Sequence, residues 1–358
     1  MTVTGDSGVR TVREGRTGRI VLDRPAALNA LTHTMVLRMT EALDAWEHDP
    51  EVVQVLVSGA GGRGLCAGGD VRAFHRDALT GGTGSVDFWR DEYRLNARIA
   101  HYPKPYVVLM DGIVMGGGVG VSAHGNVRIV TERSRVAMPE TGIGFVPDVG
   151  GTWLLGRAPG ELGTHMALTG TAVGAADALL CGLADHFVPS ARLPELVAGL
   201  GRGTADGLGR RYAGTAPAGE LAAAREWIDP CYSAGTVEEI VERLLAHGAP
   251  AAKEAAESIL AKSPTALKVT LAALRRARTL GTLEEALERE FAVSCAALRG
   301  LPDMVEGIRA QVIDKDRNPR WSPATLQEVD GATVAALLTP GSGSTADGPG
   351  HERVFPRT

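Results

Sequence analysis

Cysteine is scarce in this chain, and where it occurs it stands alone. The four cysteines, Cys66, Cys181, Cys231 and Cys295, lie far apart and form no CxxC pair. That spacing argues against a disulfide framework or a cysteine-based zinc site and leads to the expectation of a reducing, cytoplasmic setting. The nine histidines show no HExxH or comparable ligand spacing, so no metal is expected. Positive charge is not in excess. A net charge of −5 and a pI of about 6.0 argue against a general nucleic-acid or anionic-membrane binder, while leaving room for a local basic pocket. The N-terminus, MTVTGDSGVRTVREG, lacks the apolar core of a secretory signal. One stretch, Tyr106 to Ala123, is apolar enough to suggest a membrane span, but it carries Asp111 and several glycines. A buried strand, a glycine turn and a helix start explain it better.

What is present is ordinary globular material, 44% hydrophobic and 22% charged over 358 residues, enough for one large domain or two smaller ones. Strand-like, β-branched runs at 18–23, 52–58, 106–110 and 127–131 alternate with helical patterns at 33–46 and 86–101 and from about 117. Asn29 or Thr32 is placed to cap the first of these helices, and Asp49-Pro50 to stop it. Alternation of this kind predicts an α/β architecture for residues 1–199. Residues 200–220 read as a linker or insertion, 221–338 as a helical region and 339–358 as a disordered tail. Within the helical region the pattern predicts helices at 236–247, 251–262, 264–280 and 282–299. Ser263-Pro264 opens the third, and Thr282 with Glu285 opens the fourth.

Three loops carry the chemistry. Cys66-Ala67-Gly68-Gly69-Asp70 follows one strand, and Met115-Gly116-Gly117-Gly118-Val119-Gly120 follows another. Glycine lets backbone N–H groups approach a ligand closely, and two such groups aimed at one oxygen stabilise developing negative charge. Neither loop matches GxGxxG or a P-loop. The third loop, Met138 to Gly151, presents Glu140 and Asp148 eight residues apart among apolar Met138, Ile143 and Phe145, which could desolvate a carboxyl group and raise its pKa. On spacing alone, Asp148 could equally be the N-cap of a following helix.

The ordered set CAGGD, GGG, PE, PDxGG resembles the crotonase superfamily. Its flanks, LDRPAALNALT, AGGRGLCAGGDVR, YPKPYVVLMDGIVMGGGVGVS, AMPETGIGFVPDVGG and DKDRNPRWSP, are similar to the 3-hydroxyisobutyryl-CoA hydrolases over roughly residues 10–330. The resemblance implies a spiral of ββα units followed by a helical C-terminal region. It implies an acyl-CoA substrate, no cofactor beyond the CoA of that substrate, no nucleic-acid or membrane partner, and a possible homo-oligomer, a trimer or a multiple of one. Carried over by position, Gly69 and Gly117 become the oxyanion-hole donors, and Glu140 and Asp148 the catalytic pair. Glu92, in FWRDEYRLN, is implied to lie near the acyl group, with Ala67, Gly68, Asp70 and Gly116 lining the substrate. The CoA phosphates are expected along 66–72, with Arg72, Lys268 or Lys315 as cationic help.

The reaction so implied is hydrolysis of a short 3-hydroxyacyl-CoA thioester, most closely 3-hydroxyisobutyryl-CoA, as in valine breakdown. Hydratases that resemble the second loop carry a second glutamate where this chain has Gly120, and glycine can neither activate water nor handle an α-proton. An enoyl-CoA isomerase using one glutamate, and a non-catalytic binding member of the superfamily, stay open as alternatives.

Overall fold

The computed structural model describes residues 7–200, 205–339 and 353–355, in two compact units. The first comprises Met1–Gly69, Arg94–Ala137 and Ala172–Glu220, and it holds all the strands. These are β1 (Val9–Glu14), β2 (Thr17–Leu22), β3 (Gln54–Gly59), β4 (Gly64–Cys66), β5 (Tyr106–Met110), β6 (Ile113–Met115), β7 (Val127–Val130), β8 (Arg135–Ala137) and β9 (His186–Phe187). A six-stranded sheet runs β1-β2-β3-β5-β7-β9, antiparallel only at the β1–β2 hairpin, and a three-stranded parallel sheet runs β4-β6-β8. Successive strands therefore alternate between the sheets: β3 then β4, β5 then β6, β7 then β8. This is the ββα spiral that the resemblance implied.

All five residues of β5 are buried, as in parallel sheets covered on both faces. The apolar stretch 106–123 is accordingly core: β5, a turn at Gly112, β6 and a helical turn at Gly117–Gly120. The helix expected from about 117 stops after that one turn, because three of its four residues are glycine, a poor helix former. Below the large sheet, Leu56, Val107, Leu109, Val127 and Ile129 pack with Leu193, Leu196 and Leu200. In the segment 200–220, residues Ala205–Tyr212 form a helix.

The second unit comprises Asp70–Tyr93, Met138–Thr171 and Leu221–Thr358. Beyond Leu221 its regular structure is helical, with Val237–Ala246, Pro250–Leu260, Pro264–Ala277 and Leu283–Gly300 close to the spans predicted. The predicted caps form as well. Ser263 accepts the N–H of Ala266, and Thr282 that of Glu285, each satisfying an otherwise orphaned donor. In the tail, Val354 is buried and the Phe355 N–H reaches Glu288 at 2.8 Å. The rest of the segment read as disordered, 340–352 and 356–358, lies outside the described residues. Among the described residues, no helix is long and apolar enough to cross a membrane.

Candidate active site

In the first unit the two glycine loops lie against each other. A Cβ placed on Gly68, whose φ is +119°, would stand 3.5 Å from the Met115 carbonyl oxygen and 3.8 Å from the Gly117 nitrogen. One on Gly118 would collide with the Cys66 carbonyl oxygen, so the two backbones meet at a distance that admits no side chain there. Most of the amides in these loops are engaged internally. Ala67 donates to Leu28 O at 3.0 Å, Gly68 to Cys66 Sγ at 3.4 Å and Gly116 to Ala137 O at 3.2 Å. The N–H groups of Gly69 and Gly117 have no partner among the described residues. These are the two amides that the resemblance selected as oxyanion donors. Gly120 is buried in the helical turn and offers no functional group.

The second unit gathers four carboxyl groups. Glu92 lies on the helix Gly84–Ala100, Glu140 begins the 3-10 turn Glu140–Ile143, Asp148 sits in the turn before the helix Gly151–Gly156, and Glu290 is on Leu283–Gly300. All four are buried, with relative exposures of 2% for Glu92, 6% for Glu140 and Asp148, and 3% for Glu290. No ion pair reaches any of them among the described residues. Glu92 is therefore not an exposed charge on the face of its helix. One oxygen of Glu92 and one of Glu140 have no hydrogen-bond partner among the described residues. Buried polar atoms are nearly always paired, so such orphans mark a place where another molecule belongs.

Asp148 does not cap the helix that follows. Gly150 holds the N-cap position, and the Asp148 carboxylate instead accepts the Tyr93 hydroxyl at 2.8 Å. The turn between them is strained, with Val149 at φ +53° followed by Gly150 at +78°. A β-branched residue at positive φ is costly and persists only when its surroundings hold it. Glu290 supplies the hold, accepting Gly150 N–H at 2.6 Å, Thr152 N–H at 2.9 Å and the Thr152 hydroxyl at 2.5 Å.

Burial and mutual repulsion push these acids up. Glu92 stands well above its usual range, first through desolvation and then through Asp148 and Glu140. Glu140 is likewise well above it, through desolvation and Asp148. Burial brings Asp148 to about 7 even though the Tyr93 hydrogen bond pulls it down, and Glu290 to about 8 against the pull of Thr152 and Gly150. In the same unit Trp89 stacks on Phe145 with centroids 5.6 Å apart, and Phe74 lies 4.8 Å from Trp89. Buried acids whose carboxyl groups are all pushed upward suit proton transfer in which one carboxyl gives and another takes.

Of the other residues expected at the site, Asp70 opens the helix Val71–Thr80 without a side-chain cap bond. Arg72 donates to Val312 O, and Lys268 is paired with Glu238 at 2.7 Å. Sequence reasoning did not single out Tyr93, Ser294 or Glu290.

Residues 17–338 match the family described as enoyl-CoA hydratase/isomerase. The mitochondrial 3-hydroxyisobutyryl-CoA hydrolase of Gallus gallus is 42% identical over 339 residues, 92% of this chain and 88% of the relative. A carnitinyl-CoA dehydratase from Mycobacterium thermoresistibile superposes with a TM-score of 0.90 at 53% identity, covering 93% of this chain and 96% of that one. An enoyl-CoA hydratase from Rhodobacter sphaeroides 2.4.1 does so with 0.87 at 46%, covering 93% and 97%. One expectation is overturned. Eight curated relatives at 40–44% identity are all named mitochondrial 3-hydroxyisobutyryl-CoA hydrolases, against the cytoplasmic localisation expected from the cysteines. Unpaired cysteines report on disulfide chemistry and do not distinguish one compartment from another inside the cell.

Proposed function

The chain belongs to the enoyl-CoA hydratase/isomerase family, and from that premise we propose that it hydrolyses short 3-hydroxyacyl-CoA thioesters, 3-hydroxyisobutyryl-CoA foremost. The observation that carries the reading is a buried, unpaired Glu140 beside Asp148 in a chain whose position 120 is glycine. Hydration of an enoyl thioester needs a second acid at that position; hydrolysis does not.

In the proposed reaction the N–H groups of Gly69 and Gly117 bind the thioester carbonyl oxygen as it gains negative charge, each donor lowering the barrier by about 3 kcal/mol. Glu140 either takes a proton from the attacking water or attacks the carbonyl carbon itself to give a mixed anhydride, which water then opens. By both routes the C–S bond breaks and CoA leaves as a thiolate, which a protonated carboxyl of the cluster neutralises. Asp148 positions the 3-hydroxyl or the water, and Glu92 bears on the acyl group. Ala67, Gly68, Asp70 and Gly116 shape the substrate's path. Heavy oxygen from water appearing in Glu140 after a single turnover would select an anhydride opened at the Glu140 carbonyl; its absence would count against that route.

The names of the two solved structures favour a second reading, hydration or dehydration. Free-thiol release from 3-hydroxyisobutyryl-CoA, run beside crotonyl-CoA hydration, separates the two. Thiol release without hydration is expected. Hydration without thiol release would sink the hydrolase and leave the fold standing.

Two further parts of the proposal are organisational. The division into a core to residue 199 and a helical region from 221 is supported by the strands ending at Phe187 and the helices running on from Leu221. Assembly as a trimer or a multiple of one is supported by the resemblance alone, and light scattering of the purified protein reads it directly.

A further inference from the structure

We infer that Tyr93 is a positioning residue for hydrolysis, its hydroxyl aiming the Asp148 carboxylate while Ser294 fixes that hydroxyl in turn. The inference rests on the reading of Asp148 as a catalytic group.

Tyr93 is wholly buried, and its ring stands edge-on to Phe291, with centroids 6.1 Å apart at 81°. The ring is therefore held, and its oxygen has a fixed place. A phenol carries one proton. It goes to Asp148 Oδ2 at 2.8 Å, because an ionised carboxylate can only accept; Ser294 then donates to the phenol oxygen at 2.9 Å. The acceptor at the end fixes the order Ser294 to Tyr93 to Asp148. The three members come from the helix Gly84–Ala100, the helix Leu283–Gly300 and the turn before Gly151.

The ionisable groups bearing on Asp148 are Tyr93 and Glu92 from the first of those helices, Glu140 from its 3-10 turn and Glu290 from the second helix. Apart from the phenol, all are acids. Tyr93 thus brings the one side-chain donor that reaches the Asp148 carboxylate among the described residues. Burial, Asp148 and Glu290 keep the phenol well above its ordinary range, so it is a donor at neutral pH. Without it the carboxylate would keep a backbone hydrogen bond but, among the described residues, no side-chain donor to set its direction.

The test is Tyr93→Phe, which keeps the ring and deletes the donor, assayed by thiol release from 3-hydroxyisobutyryl-CoA across pH. Its kcat is expected to fall about 10- to 100-fold, the range for a hydrogen bond to a charged group, with KM within about threefold of the parent. The limb of the pH–kcat profile that Asp148 sets should move to higher pH, because the lost donor had been lowering that carboxyl. Ser294→Ala should move it the same way by less, and Ser294→Thr should restore it. If Tyr93→Phe fails to fold, the Ser294 pair decides. An unmoved profile, whether kcat holds or falls, would overturn the inference, since a merely structural tyrosine changes amplitude alone. Asp148→Asn separates the layers. If it is inactive while the Tyr93→Phe profile stays put, only the inference fails. If it is fully active, the reading of Asp148 fails and the inference with it.

Discussion

The Glu290 carboxylate accepts the N–H of Gly150 at 2.6 Å, two residues beyond Asp148, and with Thr152 as its other partner it pins a turn that Val149 enters at positive φ. A buried acid here accepts three hydrogen bonds, and its role is to hold backbone. Glu290→Gln puts an amide NH2 where an acceptor stood, so one of the turn's N–H groups is left facing a donor. The expected cost is about 1–3 kcal/mol of unfolding free energy in urea, together with lower thiol release. Unchanged stability and activity would show that the turn holds itself.

Glu140 is the group on which both proposed routes converge. Glu140→Ala is expected to lower kcat for thiol release by about 10²- to 10⁴-fold with little change in KM, the signature of an interaction that matters in the transition state. Steady-state kinetics on the folded variant read this directly. A loss confined to KM would reassign Glu140 to binding.

Close contact between the glycine loops gives a prediction that does not involve the acids. In Gly118→Ala the new methyl meets the Cys66 carbonyl, and the backbone has to move. Overpacking of this kind costs about 1–3 kcal/mol, and the displaced amides should lose the carbonyl oxygen. Thermal melts and thiol release should both fall. Gly174→Ala, where the added methyl meets nothing within 4 Å, serves as the neutral control.

Stability should run against pH in an unusual direction. Asp148 rises to about 7 and Glu290 to about 8, so between roughly pH 4 and 8 the folded chain keeps protons that the unfolded chain has given up. The stability these two contribute is full below the ordinary carboxyl range and is lost as pH climbs through about 7 and about 8. Asp148→Asn keeps an acceptor for Tyr93 while removing a buried charge. It should therefore be more stable than the parent by about 1–3 kcal/mol at pH 8, with the gain fading toward pH 5. Denaturation midpoints at the two pH values check it. An equal effect at both would mean that Asp148 titrates in its ordinary range when folded.

The strands rich in β-branched residues were legible in the sequence, as were the helices that open on Thr32, Ser263 and Thr282, because their signals are local. The three-residue strands β4, β6 and β8 were not, since a run so short shows no period. Glu140, Asp148 and the glycine loops could be read from motif order. Tyr93 and Ser294 could not, because they meet across 201 positions of sequence. Glu290 left a trace: it falls on the buried stripe of its helix with Leu283, Ala286, Leu287, Phe291 and Ser294, where a carboxylate is out of place unless something engages it.

The pairing of Glu290 with Gly150 spans 140 positions, so the helix that supplies the clasp is made well after the turn it holds. While the residues between Asp148 and Glu290 are being added, Glu92, Glu140 and Asp148 are already made but have neither the clasp that shapes their turn nor the serine that orders Tyr93. A growing chain is therefore an unfinished catalyst until Leu283–Gly300 has emerged and docked.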